Sequence, residues 1–173
     1  GPTVTTREMA QAAGIAEGTI FRVFPDKASV LHEAVRASMD PAQIQQELGA
    51  ILPTAGLADQ LEAAARILVE RSERVAALIG VFRASGSHPG GPPPGARQYV
   101  MDANTAILDA LTDLFERNRD AIRVDPRQAA TAFRGFVFAA AHPLVPSAEK
   151  PSVEEGLDVL MNGIAAPSQD GTD

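Results

Sequence analysis

Side chains able to do chemistry are present in this chain, but they do not form a catalytic set. His32, His88 and His142 stand at no metal-ligand spacing, and neither HExxH nor GxSxG occurs. Cysteine is absent, which removes disulfides and thiolate metal sites and fits a reducing compartment, the cytoplasm. The adjacent carboxylates Glu154 and Glu155 are explained by the electrostatics of a helix start. No enzyme activity, metal site or cofactor is expected. What remains is residues 5–31, TTREMAQAAGIAEGTIFRVFPDKASVL. Their punctuation is that of a helix-turn-helix, and the chemistry would be hydrogen bonding to double-stranded DNA.

The elements that must position those side chains follow from local signals. Thr5 with Glu8 forms a capping box. Met9, Ala10 and Ala13 then lie on one side of a short amphipathic helix. Gly14 supplies the positive φ of a sharp turn, with Ile15 expected as a buried plug beneath it. A second short helix runs from Glu17 to Phe24, with Ile20 and Phe24 facing inward, and Pro25 ends it. Asp26 caps a third helix through Val30, Leu31, Ala34 and Val35.

These residues resemble the TetR family of bacterial transcriptional regulators. Thr6, Ala10, Ala13, Gly14, Ile15, Thr19, Ile20, Phe21, Phe24 and Lys27 fill the family's signature positions, with Met9 in an aliphatic place. The resemblance implies that Thr6 bonds a phosphate. It implies that Glu17, Gly18, Thr19 and Arg22 lie on the exposed face of the recognition helix. Arg22 is the best candidate for direct readout, because a guanidinium can pair with both acceptors of a guanine. Phe21 stands where the family usually has tyrosine and lacks its hydroxyl. Lys27 would meet phosphate together with nearby backbone N–H groups. Ala16 replaces the usual Ser or Thr cap, at a typical cost of ~0.5–2 kcal/mol. The family also places an amphipathic helix before this motif. The chain starts at Gly1-Pro2, almost at the motif itself, so that first helix is expected to be missing and the natural product to be longer.

The fold class expected is all-α, in two domains: residues 1–40 as the reading head and residues 41–173 as a helical ligand-binding and dimerisation domain. A net charge of −7 looks wrong for a DNA binder, so its location matters. Residues 1–38 hold four basic and four acidic side chains, and the remaining eleven basic and eighteen acidic ones carry the whole −7. A neutral head predicts weak binding by one copy and favours a dimer with two heads.

The second region reads as helices throughout. Asp40-Pro41 starts one. Residues 59–79 carry the stripe Leu61, Ala64, Ala65, Leu68, Ser72, Val75 and Ile79. Residues 97–119 carry Val100, Asn104, Ile107, Leu111, Leu114 and Phe115. Asp125-Pro126, with Gln128 completing a capping box, opens a helix with Ala129, Ala130, Phe133, Phe136, Val137 and Ala140. Ser152 with Glu155 opens the last, with Val153, Leu157, Leu160, Met161 and Ile164. Residues 86–95, GSHPGGPPPG, read as a loop, and residues 167–173 as a frayed tail. No run of ~18 apolar residues predicts a membrane helix.

The resemblance implies that the Phe133 and Leu157 helices pair with their copies in a homodimer, with Ala129, Ala130, Gly135, Ala139 and Ala140 allowing close approach. It also implies a pocket for a small-molecule effector. Phe82, Tyr99, Asn104, Phe133 and Phe136 are the candidate lining. The function expected is that of a repressor released from a palindromic operator by its effector. The alternative is a helical carrier or protein-interaction module whose reading head has decayed.

Overall fold

The computed structural model describes residues 5–84, 95–141 and 152–162. Among these residues every regular element is helical, in agreement with the all-α expectation. The order is α1 (Thr6–Ala12), α2 (Glu17–Val23), α3 (Lys27–Ser38), α4 (Pro41–Gly49), α5 (Leu57–Ala84) and α6 (Ala96–Arg117). A 3-10 turn at Arg119–Ala121 then leads to α7 (Pro126–Ala141) and α8 (Val153–Asn162).

The caps explain where these helices start. The Thr5 hydroxyl accepts from the Glu8 amide at 3.2 Å, and the Thr5 amide donates back to Glu8 Oε2 at 2.7 Å. Both halves of the box therefore form. Asp26 Oδ1 accepts from the Ser29 amide at 2.7 Å and Asp40 Oδ1 from the Ala42 amide at 3.0 Å. Asp125 Oδ1 accepts from the Arg127 and Gln128 amides at 2.9 and 3.2 Å. At α8 the Ser152 and Glu155 box is reciprocal, at 2.9 and 3.1 Å. Pro41 and Pro126 stand first in α4 and α7, where a missing N–H costs nothing.

By its internal contacts the chain forms two compact units. The first comprises Gly1–Ile44 with Arg71–Ala106, and the second Gln45–Glu70 with Ile107–Asp173. In the first unit Ala10, Ile20, Leu31, Ile44, Ala103 and Ala106 are buried. In the second the α5 residues Leu57, Leu61, Ala64, Ala65 and Leu68 are buried, as are Leu111, Leu114, Phe115, Ala130, Phe133 and Val137. Phe115 and Phe133 meet edge to face, with ring centroids 6.2 Å apart.

Two polar and backbone details hold this second unit together. Gln60, only 1% exposed, exchanges amide hydrogen bonds with Asn118 at 3.2 and 3.0 Å. It also donates to the Ala55 carbonyl at 2.7 Å, so this buried amide is satisfied from both sides. On α8, a Cβ built at Gly156 would lie 1.7 Å from Phe136 Cε2. The Phe136 ring thus rests directly on the α8 backbone, and α7 and α8 are packed against each other.

Several side chains lie elsewhere than expected. Ile15 is 45% exposed rather than a buried plug. The turn beside it is closed by backbone bonds, Gly14 N–H to Gln11 O and Ile15 N–H to Ala10 O, and two seven-residue helices offer little apolar surface to cover it. Phe24 is only half-buried. Ser72 is exposed on α5, where the neighbouring Arg71 is buried. Val100 and Asn104 are exposed on α6, because its inward face there is made by the smaller Ala103 and Ala106. Residues 86–94, His88, His142, Ile164 and the tail 167–173 lie outside the described residues.

Candidate nucleic-acid interface

The head is built around one tight turn. Gly14 has φ +67°, and a Cβ there would meet nothing within 4 Å. The glycine is thus required by backbone conformation rather than by crowding. The turn packs α1 against α2, and Ala10 and Ile20 are the buried residues of these two helices.

With Ile20 alone buried, the rest of α2 is directed outward. Glu17, Gly18, Thr19 and Arg22 are all exposed, and Phe21 is 51% exposed. A Cβ at Gly18 would touch nothing within 4 Å, so no packing inside the chain asks for glycine there. Ala16 caps α2 without a side-chain hydrogen bond, although its φ −73° and ψ 142° are those of an N-cap. At the other end Phe24 is extended, as a residue before Pro25 should be.

The flanking residues complete the face. Thr6, half-buried at the start of α1, donates its hydroxyl to Glu17 Oε1 at 2.7 Å. Lys27, half-buried in the first turn of α3, lies near enough to Glu8 to favour its carboxylate form. The backbone and side-chain hydrogen bonds from Thr5 are the larger reasons that Glu8 ionises below its ordinary range. Asp26 is likewise held low, first by the Ser29 amide and then by the Ser29 hydroxyl. On α3, Glu33 pairs with Arg36 and is lowered by that bond, while the Arg36 guanidinium is raised. The structure therefore gathers Thr6, Glu17, Gly18, Thr19, Phe21 and Arg22 onto two contacting helices, with Lys27 one turn further along the chain.

The family model for bacterial regulatory proteins of the tetR family matches residues 2–34. Residues 2–34 are thus similar to the DNA-binding head of TetR-family regulators. The matched segment spans α1, α2 and most of α3, the elements that carry the exposed candidate residues. Neither the comparison with curated proteins nor that with solved structures returned a match.

The candidate pocket residues of this TetR-like chain are dispersed between the units. Tyr99 and Asn104 are exposed in the first unit. In the second, Phe133 is 1% exposed and packed on Phe115, and half-buried Phe136 lies on Gly156. The side chain of Phe82 lies outside the described residues. A cleft of about 180 Å³ in the second unit is lined by Glu62, Arg66, Val69, Glu70, Val153 and Glu154, none of them among the five. Within it Arg66 bonds Glu62 at 2.8 Å, one helical turn away.

Sequence reasoning also passed over Gln60 and Arg71, both buried. Their signal was positional. Gln60 falls between Leu57 and Ala64 on the α5 stripe, and Arg71 falls between Leu68 and Val75. Among the described residues no group of acidic or histidine side chains is placed to hold a metal ion. No described helix is long and apolar enough to cross a membrane.

Proposed function

We propose that this DNA-binding regulator is a cytoplasmic, non-enzymatic repressor that holds a palindromic operator as a homodimer and is released by a small-molecule effector. The observation that carries the DNA contact is the outward face of α2, where Glu17, Gly18, Thr19, Phe21 and Arg22 surround a single buried residue, Ile20. Arg22 reads a base edge, and Thr6 and Lys27 lie at its flanks. Residues 1–40 act as the head, and residues 41–173 bind the effector and the second copy.

Dimerisation through α7 and α8 is supported by apolar surface on both. Of the small α7 residues expected there, Gly135 and Ala139 are exposed, beside Ala132 and Phe138 at 64%, whereas Ala130 is buried within the chain and is not available to a second copy. On α8, Val159, Leu160 and Met161 are exposed. Such surface is costly in water and is well used between two-fold related copies. Two heads one helical turn apart, ~34–36 Å, then match the half-sites of a palindrome. Effector binding would shift a two-state equilibrium toward a spacing that no longer fits.

The test is binding to genomic or randomised duplexes, by fluorescence anisotropy. Sequence-dependent binding that weakens steeply with salt is expected. Absence of sequence-dependent binding even at low salt, with small-molecule affinity retained, would select the carrier reading instead.

A further inference from the structure

The Thr6 hydroxyl has one proton, and in this structure that proton goes to Glu17 Oε1 at 2.7 Å. We propose that Thr6 is a positioning residue for Glu17, and that Glu17 is a specificity-determining group of the head, accepting a hydrogen bond from the exocyclic amine of a base, cytosine above all. The inference rests on the DNA-binding reading and deepens it.

A phosphate oxygen is an acceptor only. A threonine hydroxyl already given to a carboxylate has no second proton for it. The bond to Glu17 is charge-assisted and is already made, so a phosphate could take that proton only by displacing another anionic acceptor. It also joins α1 to the first residue of α2 across eleven sequence positions. A glutamate on a surface normally samples many rotamers, and the Thr6 bond restricts this one before any duplex arrives.

The remaining acceptor capacity of Glu17 is exposed. Among the described residues no Lys or Arg forms an ion pair with it. A carboxylate carried toward a duplex in this state needs a donor. In the major groove guanine offers two acceptors and thymine one, and both repel it. Adenine offers an amine beside an acceptor nitrogen. Cytosine offers an amine alone. The open space at Gly18, where a Cβ would touch nothing within 4 Å, leaves room for the adjoining backbone to approach the bases.

The test is selection from a randomised duplex pool with the full-length protein, followed by anisotropy titrations on single-position variants of the enriched site. The wild type should prefer cytosine at one position in each half-site by about tenfold over thymine or guanine. Glu17→Ala should abolish that preference and leave the others. Thr6→Val should weaken the same preference several-fold, with the salt slope unchanged, and Thr6→Ser should restore it. The Ser variant separates a lost hydroxyl from a lost fold. If Thr6→Val instead weakens every sequence alike and lowers the salt slope by about one, Thr6 is a phosphate contact and the proposal fails. It fails also if Glu17→Ala leaves all base preferences intact. A wild type without any sequence preference overturns both this proposal and the function it rests on.

Discussion

Gly156 offers the sharpest test of the packing that supports the proposed dimer helices. A methyl group added there would sit 1.7 Å from Phe136 Cε2, 1.9 Å from Cζ and 2.6 Å from Cδ2. All three are well inside van der Waals contact, so the ring must move or α7 and α8 must separate. Overpacking of this kind costs about 1–3 kcal/mol. Against it stands the helix propensity of alanine, about 1 kcal/mol better than glycine in a helix interior. Gly156→Ala should therefore be destabilising by roughly 0–2 kcal/mol in the wild-type background. In a Phe136→Ala background the obstruction is gone, and the same change should be stabilising by about 1 kcal/mol. The difference between the two backgrounds is a coupling of about 1–3 kcal/mol, read directly by a double-mutant cycle. Urea unfolding followed by circular dichroism, at fixed protein concentration, measures all four proteins. Equal effects of Gly156→Ala in both backgrounds would refute the reasoning, because the ring would then not lie on the α8 backbone.

Other outcomes follow from the head. Ala16→Ser should stabilise it by ~0.5–2 kcal/mol, since the backbone at this cap is already extended and only the acceptor is absent; thermal unfolding checks this. Arg22→Ala should relax base preference at one operator position at a cost of about 1–3 kcal/mol, whereas Lys27→Ala should weaken all sequences evenly and reduce the salt slope, both read by anisotropy. The cap carboxylates Glu8 and Asp26 have lowered folded values, so the unfolded chain binds more protons in acid. Their contribution should be complete above the ordinary values of 4.5 and 3.8 and should be lost as pH falls through the lower folded ones. Circular dichroism between pH 5 and pH 2 should show the loss, and Glu8→Gln should flatten it; an unchanged profile in that variant would count against the Glu8 cap.

Much of the head is legible in the chain because its signals are local. Thr5 with Glu8, Gly14, Phe24 before Pro25, and Asp26 with Ser29 each act within four residues, and each takes its expected geometry. The caps of α4, α7 and α8 are legible for the same reason. The candidate pocket was not legible in this way. A phenylalanine that closes a core and one that lines a cavity have the same helical spacing, and Phe133 proves to be packed on Phe115.

The sequence by itself determines where the capped helices α1, α3, α4, α7 and α8 begin, and it determines the helix-turn-helix, since caps, glycine φ and proline sterics are decided between near neighbours. The tertiary structure alone decides which face turns inward and which distant groups meet. It chooses Ala103 and Ala106 over Val100 and Asn104, and it lays Phe136 on Gly156. It joins Gln60 to Asn118 across 58 positions and Thr6 to Glu17 across eleven. Periodicity specifies a stripe only to within about one residue in rotation about the helix axis, and pairings between elements depend on packing that no local pattern encodes.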